Sequence, residues 1–443
     1  MEEATLFYTS LALLTNPPLH RPFLELSKKL GPVFSLRLGS RLAVVVSSLS
    51  AVEECFTKND IVLANRPNLL LSKHLAYNHT TVISAPYGDY WRNLRRICTI
   101  EIFLLNRLNK FSDIRKDEVQ RLLLKLSRNS REDFSKEELK SMFVDLTLNN
   151  LMGMMAGKRY CCEDVSDSSE AKEFRELVAE VVENSGAGNQ ADYLPILNWA
   201  ANYENKLEGL FKKVDGFLQG LIDERRNANG GNTMIDHLIS LQKSEPDNYT
   251  DQTIKGLILV LLLAGSDTTA VTLEWAMSNL LNHPEVMKKA KAEIDGETLR
   301  LYPAAPLLVP HRTSDDCSIG WYHVPPNSIV LINAWAIQRD PKFWDNPTSF
   351  KPERFEFENG GKDDGHKFLP FGIGRRACPA ATMAHRMLNL ALGSLIQCFE
   401  WEKVDGEEID MTEGKGVTMP KLEPLEAMCK TRPILTKDLY LAA

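Results

Sequence analysis

The sequence predicts one mainly α-helical domain with a small β-sheet subdomain. Amphipathic helical patterns fill most of residues 108–226, and Asp251–Asn282 predicts the longest helix, roughly 45 Å at ~1.5 Å per residue. Val33–Leu38 and Arg41–Val46, separated by Gly39-Ser40, predict a β-hairpin. The 443 residues contain no glycine- or serine-rich linker and no internal repeat, so we expect one body rather than several domains.

The composition is that of an ordinary globular protein and excludes some partners. The chain is 44% hydrophobic and 25% charged, and its net charge of −7 argues against nucleic acid as a ligand. Its eight cysteines show no repeated metal-finger spacing, which favours a reducing compartment and mostly structural thiols.

The N-terminal residues form a short apolar segment. Residues 4–14 are apolar, whereas a membrane span needs ~20 residues, and no basic flank or cleavage site marks a signal peptide. We therefore expect a shortened apolar segment at residues 1–15, followed by a single domain over residues 16–443.

Several shorter elements precede the central helix. Residues 24–30 predict a helix ended by Gly31-Pro32, and Ser47 or Ser48 caps a helix that reaches Thr57. Residues 66–85 have no clear period, and a loop of this length inside a compact domain is usually functional. The next helix carries Trp91 and Arg95, which are four residues apart and so share one face.

The central helix contains small and hydroxylated residues at its midpoint. Residues 257–264 are apolar on all sides, and the last of them, Ala264, begins a segment that contains Gly265, Asp267 and Thr268. Such residues lower helix stability, and their presence in the middle of a buried helix suggests a functional site. The alternative is that the Thr268 hydroxyl only bonds back to a carbonyl one turn earlier.

A glycine-broken loop near the C-terminus ends in a cysteine. It runs from Phe371 through Gly372 and Gly374 to Arg376 and Cys378. Pro379 suits the first position of a helix over residues 380–398, and the amides and dipole of a helix N-terminus favour a thiolate. The alternative is a buried, purely structural cysteine.

These patterns together resemble the cytochromes P-450. The pattern Phe-x-x-Gly-x-Arg-x-Cys at residues 371–378 is similar to that family's haem-binding loop, and Ala-Gly-x-Asp-Thr at residues 264–268 to its oxygen-activation segment. Glu297 and Arg300 match its Glu-x-x-Arg motif, with Arg354 as the expected third member of a buried triad. Trp91 and Arg95 match its Trp-x-x-x-Arg motif.

The resemblance implies a fold, a cofactor and residue roles. The fold would be that of a cytochrome P-450, with haem b between the central helix and the helix that follows Cys378, the axial thiolate ligand. Donors to the haem propionates would be Trp91, Arg95, Arg376 and His311, with Arg312 as the alternative to His311. The oxygen-activation segment would bind dioxygen and deliver protons through four residues: Ala264, Gly265, Asp267 and Thr268.

The resemblance also implies partners and a location. Electrons would come from NADPH through NADPH–cytochrome P-450 reductase, docking near Arg375, Arg376 and Lys367 on the cysteine side. The other partners would be dioxygen, a small hydrophobic substrate and a membrane surface, namely the cytosolic face of the endoplasmic reticulum.

The resemblance further indicates a substrate class. The strings at residues 222–226, 234–238 and 272–277 look most like the plant branch that hydroxylates isoflavones and related phenolics. We expect a flat hydrophobic substrate in a mostly apolar pocket. The predicted lining comes from five stretches: residues 66–85, 185–197, 257–264, 307–310 and 417–419.

Two departures from the family pattern stand out, and two rival functions follow. Ala380 replaces a usual glycine, and a helix and long loop that normally precede Glu297 are missing, so we expect an internally shortened chain. One rival is a non-catalytic or unstable haem-binding remnant. The other is a haem-thiolate isomerase or lyase that needs no reductase, against which the intact Asp267–Thr268 pair argues.

Overall fold

The computed structural model describes residues 18–161, 169–184, 190–194, 202–228, 230–289, 294–355, 365–416 and 418–435. Within these ranges helices dominate and the strands are short, as the sequence predicts. The N-terminal segment at residues 1–15, residues 290–293 and Val417 lie outside the described residues.

The helices surround a central pair and are numbered here in chain order. Those before the central pair are α1 (His20–Leu30), α2 (Leu49–Thr57), α3 (Leu70–His74), α4 (Asp89–Arg96), α5 (Leu105–Lys110), α6 (Ser112–Asn129), α7 (Leu139–Ala156), α8 (Ser169–Asn184), α9 (Tyr203–Asn227) and α10 (Met234–Ser244). The central pair and its successors are α11 (Asp251–Gly265), α12 (Asp267–Asn282), α13 (Pro284–Lys289), α14 (Ile294–Leu301), α15 (Ala334–Ile337) and α16 (Ala381–Cys398).

The strands form three small sheets. They are β1 (Val33–Leu38), β2 (Arg41–Val46), β3 (Ser135–Glu138), β4 (His311–Arg312), β5 (Cys317–Ile319), β6 (Tyr322–Val324), β7 (Ile329–Ile332), β8 (Phe399–Glu402) and β9 (Glu426–Thr431). The largest sheet has the order β1-β2-β7-β4, the second β3-β9-β8 and the third β5-β6. The predicted hairpin is present, with Leu38 opposite Arg41 in an antiparallel register.

The predicted central helix is present but interrupted. Helix α11 ends at Gly265 and α12 begins at Asp267, although Ser266 between them keeps right-handed helical angles of φ −78° and ψ −66°. The stretch Asp251–Asn282 is long and apolar enough to cross a membrane, yet most of its most apolar part is buried inside the protein. This burial is that of a core helix, because its apolar side chains already have protein neighbours.

Two apolar clusters meet along this central pair. One packs α11 against α4, α7, α9 and α10, and the other packs α12 against α6, α7, α14 and α16. Trp275 of α12 and Phe143 of α7 are among the largest fully buried side chains. The interruption at Ser266 therefore lies between two packed halves, with the cysteine loop leading into α16 on one side.

The structure differs from the sequence predictions at several boundaries. Helix α1 begins four residues earlier than predicted, and the predicted loop at residues 66–85 contains α3. Helix α16 begins at Ala381 rather than Pro379, because Ala380 still has the non-helical angles φ −98° and ψ 9°. Propensity and pattern locate such elements well but their ends poorly.

Candidate active site

The cysteine loop closes on itself through backbone hydrogen bonds. The Cys378 amide donates to the Phe371 carbonyl at 2.8 Å, and the Ala377 amide donates to the Gly374 carbonyl at 3.1 Å. Gly372 and Gly374 have φ values of +66° and +72°, which a side chain rarely tolerates. The glycines thus shape the tight turn that presents Cys378 at the start of α16.

Gly374 is also held by close packing against α2. A Cβ atom at this position would lie 2.5 Å from Asp60 Oδ1 and 2.9 Å from Phe56 Cδ1. The Arg375 side chain reinforces this contact, with Nε 3.0 Å from Asp60 Oδ2. The close approach at Gly374 is therefore made by protein atoms.

The Cys378 side chain keeps an exposed surface although protein surrounds it closely. Burial raises the pKa of this thiol, while a hydrogen bond from the Ala380 amide and the charge of Arg95 lower it. The net direction is upward, so the expected preference for a thiolate at the helix N-terminus is outweighed by burial. An additional positive charge at the sulfur, such as a metal ion, would make the thiolate the stable form.

Arg376 points into the protein beside Trp91. Its guanidinium donates to the carbonyls of Ala64 at 2.8 Å, Val82 at 3.1 Å and Ala85, and it lies 4.3 Å from the Trp91 ring centroid. The Trp91 indole N–H donates to the same Val82 carbonyl at 3.0 Å. Arg376 therefore does not lie on the surface where the sequence analysis also placed it as a docking cation.

Arg95, His311 and Arg66 extend this cluster. Arg95 Nη1 donates to the Ala377 carbonyl at 2.5 Å, and His311 Nδ1 donates to the Leu63 carbonyl at 2.8 Å. Arg66 donates to the carbonyls of Val309 and Pro310 at 2.7 and 2.8 Å, but its buried Nε has no partner. The sequence analysis missed Arg66, because a lone arginine before Pro67 carries no motif.

Burial lowers the pKa values of these basic side chains. Burial, with help from Arg376, lowers the pKa of Arg66 to about 9, and burial with help from Arg95 lowers that of Arg376 to about 10. Burial also lowers the pKa of Arg95, and holds that of His311 well below its usual value.

This cluster fits an anionic ligand. Among the described residues, no aspartate or glutamate forms an ion pair with Arg66, Arg95 or Arg376. Buried cations without counter-ions are costly, so the cluster is suited to a ligand that brings carboxylates. Haem b carries two such groups, and this donor set beside a cysteine fits it.

The midpoint of the central helix pair presents both predicted proton-transfer residues. The Thr268 hydroxyl donates to the Ala264 carbonyl at 2.7 Å, the local bond that the sequence analysis named as the alternative. The Asp267 carboxylate accepts a hydrogen bond from the Thr418 hydroxyl at 2.5 Å. A Cβ atom on Gly265 would lie 3.2 Å from Leu151 Cδ1, so this glycine leaves room for packing against α7.

The buried triad lies behind the loop. Glu297 accepts from Arg300 Nε and Nη2 at 2.7 and 2.8 Å, and Arg354 Nε lies 3.3 Å from the same carboxylate. Glu297 and Arg300 have no solvent-exposed surface. The structure thus brings together the three side chains that the sequence grouped.

Gln338 connects this triad to the cysteine loop. Its carbonyl oxygen accepts from Arg300 Nη1 at 2.7 Å, and its side-chain Nε2 donates to the Arg300 carbonyl at 2.8 Å. Its Oε1 accepts from the Leu369 amide at 2.7 Å, and the Leu369 carbonyl accepts from the Gly372 amide at 3.0 Å. The sequence analysis missed Gln338, because a single glutamine gives no signal of such a bridge.

A helical fold that delivers one cysteine beside a buried cationic cluster defines a haem-thiolate protein as its class. The comparisons with known proteins agree with this class. The cytochrome P450 family model matches residues 2–296 and 296–425. The chain therefore belongs to the cytochrome P450 family, and it is a monooxygenase that uses haem with a cysteine thiolate ligand and NADPH-derived electrons from a reductase.

Plant relatives refine this assignment. The chain is 54% identical over 455 aligned residues to cytochrome P450 81D1 of Arabidopsis thaliana, covering 96% of this chain and 90% of the relative. It is 51% identical to isoflavone 2'-hydroxylase of Glycyrrhiza echinata, covering 95% and 89%. It is also 51% identical to (+)-piperitol/(+)-sesamin synthase CYP81Q2 of Sesamum radiatum, covering 95% and 88%. The protein is thus a plant P450 of the CYP81 type.

Solved structures confirm the predicted fold. A zebra fish cytochrome P450 structure with progesterone has a TM-score of 0.81 at 24% identity, covering 94% of this chain and 100% of that one. A second structure of that protein, with abiraterone, has a TM-score of 0.78 at 23% identity, with the same coverage. At these identities the similarity shows the fold alone.

Proposed function

We propose that this monooxygenase hydroxylates a flat, hydrophobic phenolic compound of the isoflavonoid or flavonoid kind. The observation that carries this proposal is the 51% identity, over 95% of the chain, to an isoflavone 2'-hydroxylase. A relative of equal identity that is named for piperitol and sesamin keeps aromatic lignans within the class to be tested.

The residues of the cationic cluster fit the role of holding the cofactor. Cys378 would be the axial ligand, and Arg66, Arg95, Arg376 and His311 would bind the two haem carboxylates. Once bound, haem supplies the activation of dioxygen. The chain's own contribution is to orient the cofactor and to neutralise its carboxylates, which also relieves the repulsion between the buried guanidinium groups.

Asp267 and Thr268 are the proposed proton-delivery pair. The Thr268 hydroxyl is already a donor to the Ala264 carbonyl, and Ala264 itself is exposed. Because the Ala264 carbonyl fixes the orientation of the Thr268 hydroxyl, the lone pairs of that hydroxyl oxygen stay free to accept a proton from Asp267.

The proposed substrate pocket is bounded by the predicted lining segments that lie among the described residues. These are residues 66–85, 190–194, 257–264 and 307–310 together with Thr418 and Met419, whereas residues 185–189, 195–197 and 417 lie outside. Exposed Val309, with 43% of its surface accessible, and exposed Ala264 offer the apolar surface that a flat aromatic ligand needs.

We further propose NADPH–cytochrome P-450 reductase as the electron donor, at the cytosolic face of the endoplasmic reticulum. Arg375 supports the docking side, because it lies three residues before Cys378 and 43% of its side chain is exposed. Residues 4–14, the proposed attachment to the membrane, lie outside the described residues.

The proposed domain organisation is a single domain over residues 16–443 that lacks a peripheral segment before Glu297. Two observations support it: the family model matches in two stretches that meet at residue 296, and an alignment of 455 residues exceeds the length of the chain.

The test begins with the absorption spectrum of the reduced, carbon monoxide-bound protein. A strongly red-shifted Soret band is expected, and NADPH-dependent hydroxylation of isoflavones or (+)-piperitol with the reductase should follow. Turnover of hydroperoxides without NADPH would instead favour the isomerase or lyase alternative. Absence of the band, with its recovery after insertion of a relative's segment before Glu297, would favour the inactive remnant.

A further inference from the structure

A hairpin near the C-terminus reaches the midpoint of the central helix pair. Its arms pair at Glu413 and Lys421 in an antiparallel bridge. The Gly414 amide donates to the Pro420 carbonyl at 2.8 Å, and the Leu422 amide donates to the Thr412 carbonyl at 2.9 Å. We call the described residues of this segment, 412–416 and 418–422, the C-terminal hairpin.

Charged side chains fix the base of this hairpin. The Glu413 carboxylate accepts from His20 Nε2 at 2.8 Å and from Arg21 Nε at 2.6 Å, both on α1. The Lys421 ammonium donates to the Asp410 carbonyl. The same ammonium lies 5.4 Å from the ring centroid of Trp275 on α12. The base is thus tied both to the N-terminal helix and to the central pair.

The tip of the hairpin is fixed independently. The Met419 amide donates to the Ala304 carbonyl at 3.0 Å, and the Met419 carbonyl accepts from Trp275 Nε1 at 2.7 Å. Met419 itself is only 1% exposed. With both backbone groups of Met419 bonded, the preceding residue, Thr418, has little freedom, and its hydroxyl donates to Asp267 Oδ2 at 2.5 Å.

We propose that Thr418 is a positioning residue for proton delivery through Asp267. The inference rests on the role proposed above for Asp267. Asp267 is the first residue of α12, and the residue before it, Ser266, makes no side-chain capping bond that could fix this end of the helix. The Thr418 hydroxyl occupies Oδ2 and leaves Oδ1 as the oxygen that accepts and hands on a proton.

This contact makes proton delivery depend on the wall of the substrate pocket. Thr418 and Met419 belong to a segment predicted to line that pocket, so a displaced hairpin also displaces the bond to Asp267. Each turnover consumes one dioxygen, two electrons that NADPH supplies through the reductase and two protons, one of them from solvent; one oxygen atom enters the substrate C–H bond and the other leaves as water. Thr418 gains and loses nothing in this balance, because it only orients the carboxylate.

The experiment measures hydrogen peroxide released per NADPH consumed by the haem-loaded enzyme with reductase, with daidzein as the probe. Thr418→Val, which removes the hydroxyl at nearly constant shape, should raise the peroxide fraction several-fold and lower the coupled rate about tenfold. Thr418→Ser should restore coupling. Lys415→Gln, an exposed change in the same hairpin, should match the wild type.

A second measurement does not depend on turnover. In the haem-free protein, the fall in Tm caused by Thr418→Val should largely disappear in an Asp267→Ala background, because alanine leaves no side-chain oxygen to accept the Thr418 hydrogen bond. Additive losses would overturn the inference. This cycle also decides the matter if Thr418→Val fails to retain haem.

The two proposals fail in different ways. If Asp267→Asn raises peroxide release but Thr418→Val does not, the positioning role of Thr418 is refuted and the role of Asp267 stands. If Asp267→Asn itself leaves peroxide release unchanged, the proposed proton-delivery role is refuted, and the inference built on it is refuted as well.

Discussion

Replacing Glu297 by glutamine should destabilise the protein by about 3 kcal/mol, because it removes the only carboxylate of the buried triad. Three guanidinium N–H groups of Arg300 and Arg354 reach this carboxylate at 2.7–3.3 Å. The Lys351 amide adds a fourth donor at 2.9 Å. Glu297 and Arg300 are both 0% exposed, so water cannot solvate the guanidinium group that loses its counter-charge.

The magnitude follows from these contacts. A hydrogen bond to a charged acceptor contributes about 1 kcal/mol more than one to a neutral acceptor, and three charge-assisted bonds lose that difference. The sum, about 3 kcal/mol, agrees with the range for breaking a buried ion pair by removing one partner. Arg300 also bonds the carbonyls of Gln338 and Pro347, so its guanidinium stays buried rather than turning to solvent.

Urea titration followed by the carbon monoxide band and by near-ultraviolet circular dichroism measures this loss. The matched control is Glu285→Gln, an exposed acid on α13, which should change stability by less than about 0.5 kcal/mol. The band should fall at lower urea than the circular dichroism signal, since Gln338 transmits the disturbance to Leu369. A loss below about 1 kcal/mol for Glu297→Gln would refute the reasoning.

Three further predictions test the cationic cluster, the loop at residues 66–85 and a buried acid. Arg66→Met should leave the haem-free protein at least as stable, since burial lowers the pKa of Arg66 to about 9, yet should weaken haem retention about tenfold, measured by transfer to apomyoglobin. Tyr77→Phe removes the bond to Asp215 at 2.9 Å, and hydrogen exchange at residues 75–80 should accelerate about fivefold. Burial raises the pKa of Glu274, so the negative charge of this carboxylate destabilises the folded protein at pH values above the raised pKa. Glu274→Gln should therefore raise Tm at pH 7, and this increase in Tm should shrink as the pH falls towards 4.5.

The parts of the site that sequence could predict are those carried by local pattern. The loop around Cys378, the Glu297–Arg300 spacing and the residues Asp267 and Thr268 lie within short segments with a fixed order. Their local geometry follows from glycine angles and helix spacing, which a sequence states directly. The fold class could be predicted for the same reason, since the amphipathic pattern of a long helix can be seen in the sequence however the helices pack together.

The parts that sequence could not predict depend on long-range contacts. Arg66 meets Val309 and Pro310 across 243 and 244 positions, and Thr418 meets Asp267 across 151. Neither Arg66 nor Thr418 belongs to a local sequence motif that would predict its long-range contact. The pKa of Cys378 was also unpredictable, because burial by distant segments outweighs the local effect of the α16 N-terminus.

Asp295 shows how the proposed shortening of the chain reaches the active site. This acid is 6% exposed in α14, two positions before Glu297. Its carboxylate lies 2.6 Å from His385 Nδ1 on α16, and the His385 ring packs 5.1 Å from Phe371, the first residue of the cysteine loop. A buried acid is tolerated only with such a partner. Two contacts, Asp295–His385 and His385–Phe371, therefore connect the site of the proposed shortening to the cysteine loop. A displacement of the chain at Asp295 would also displace this loop.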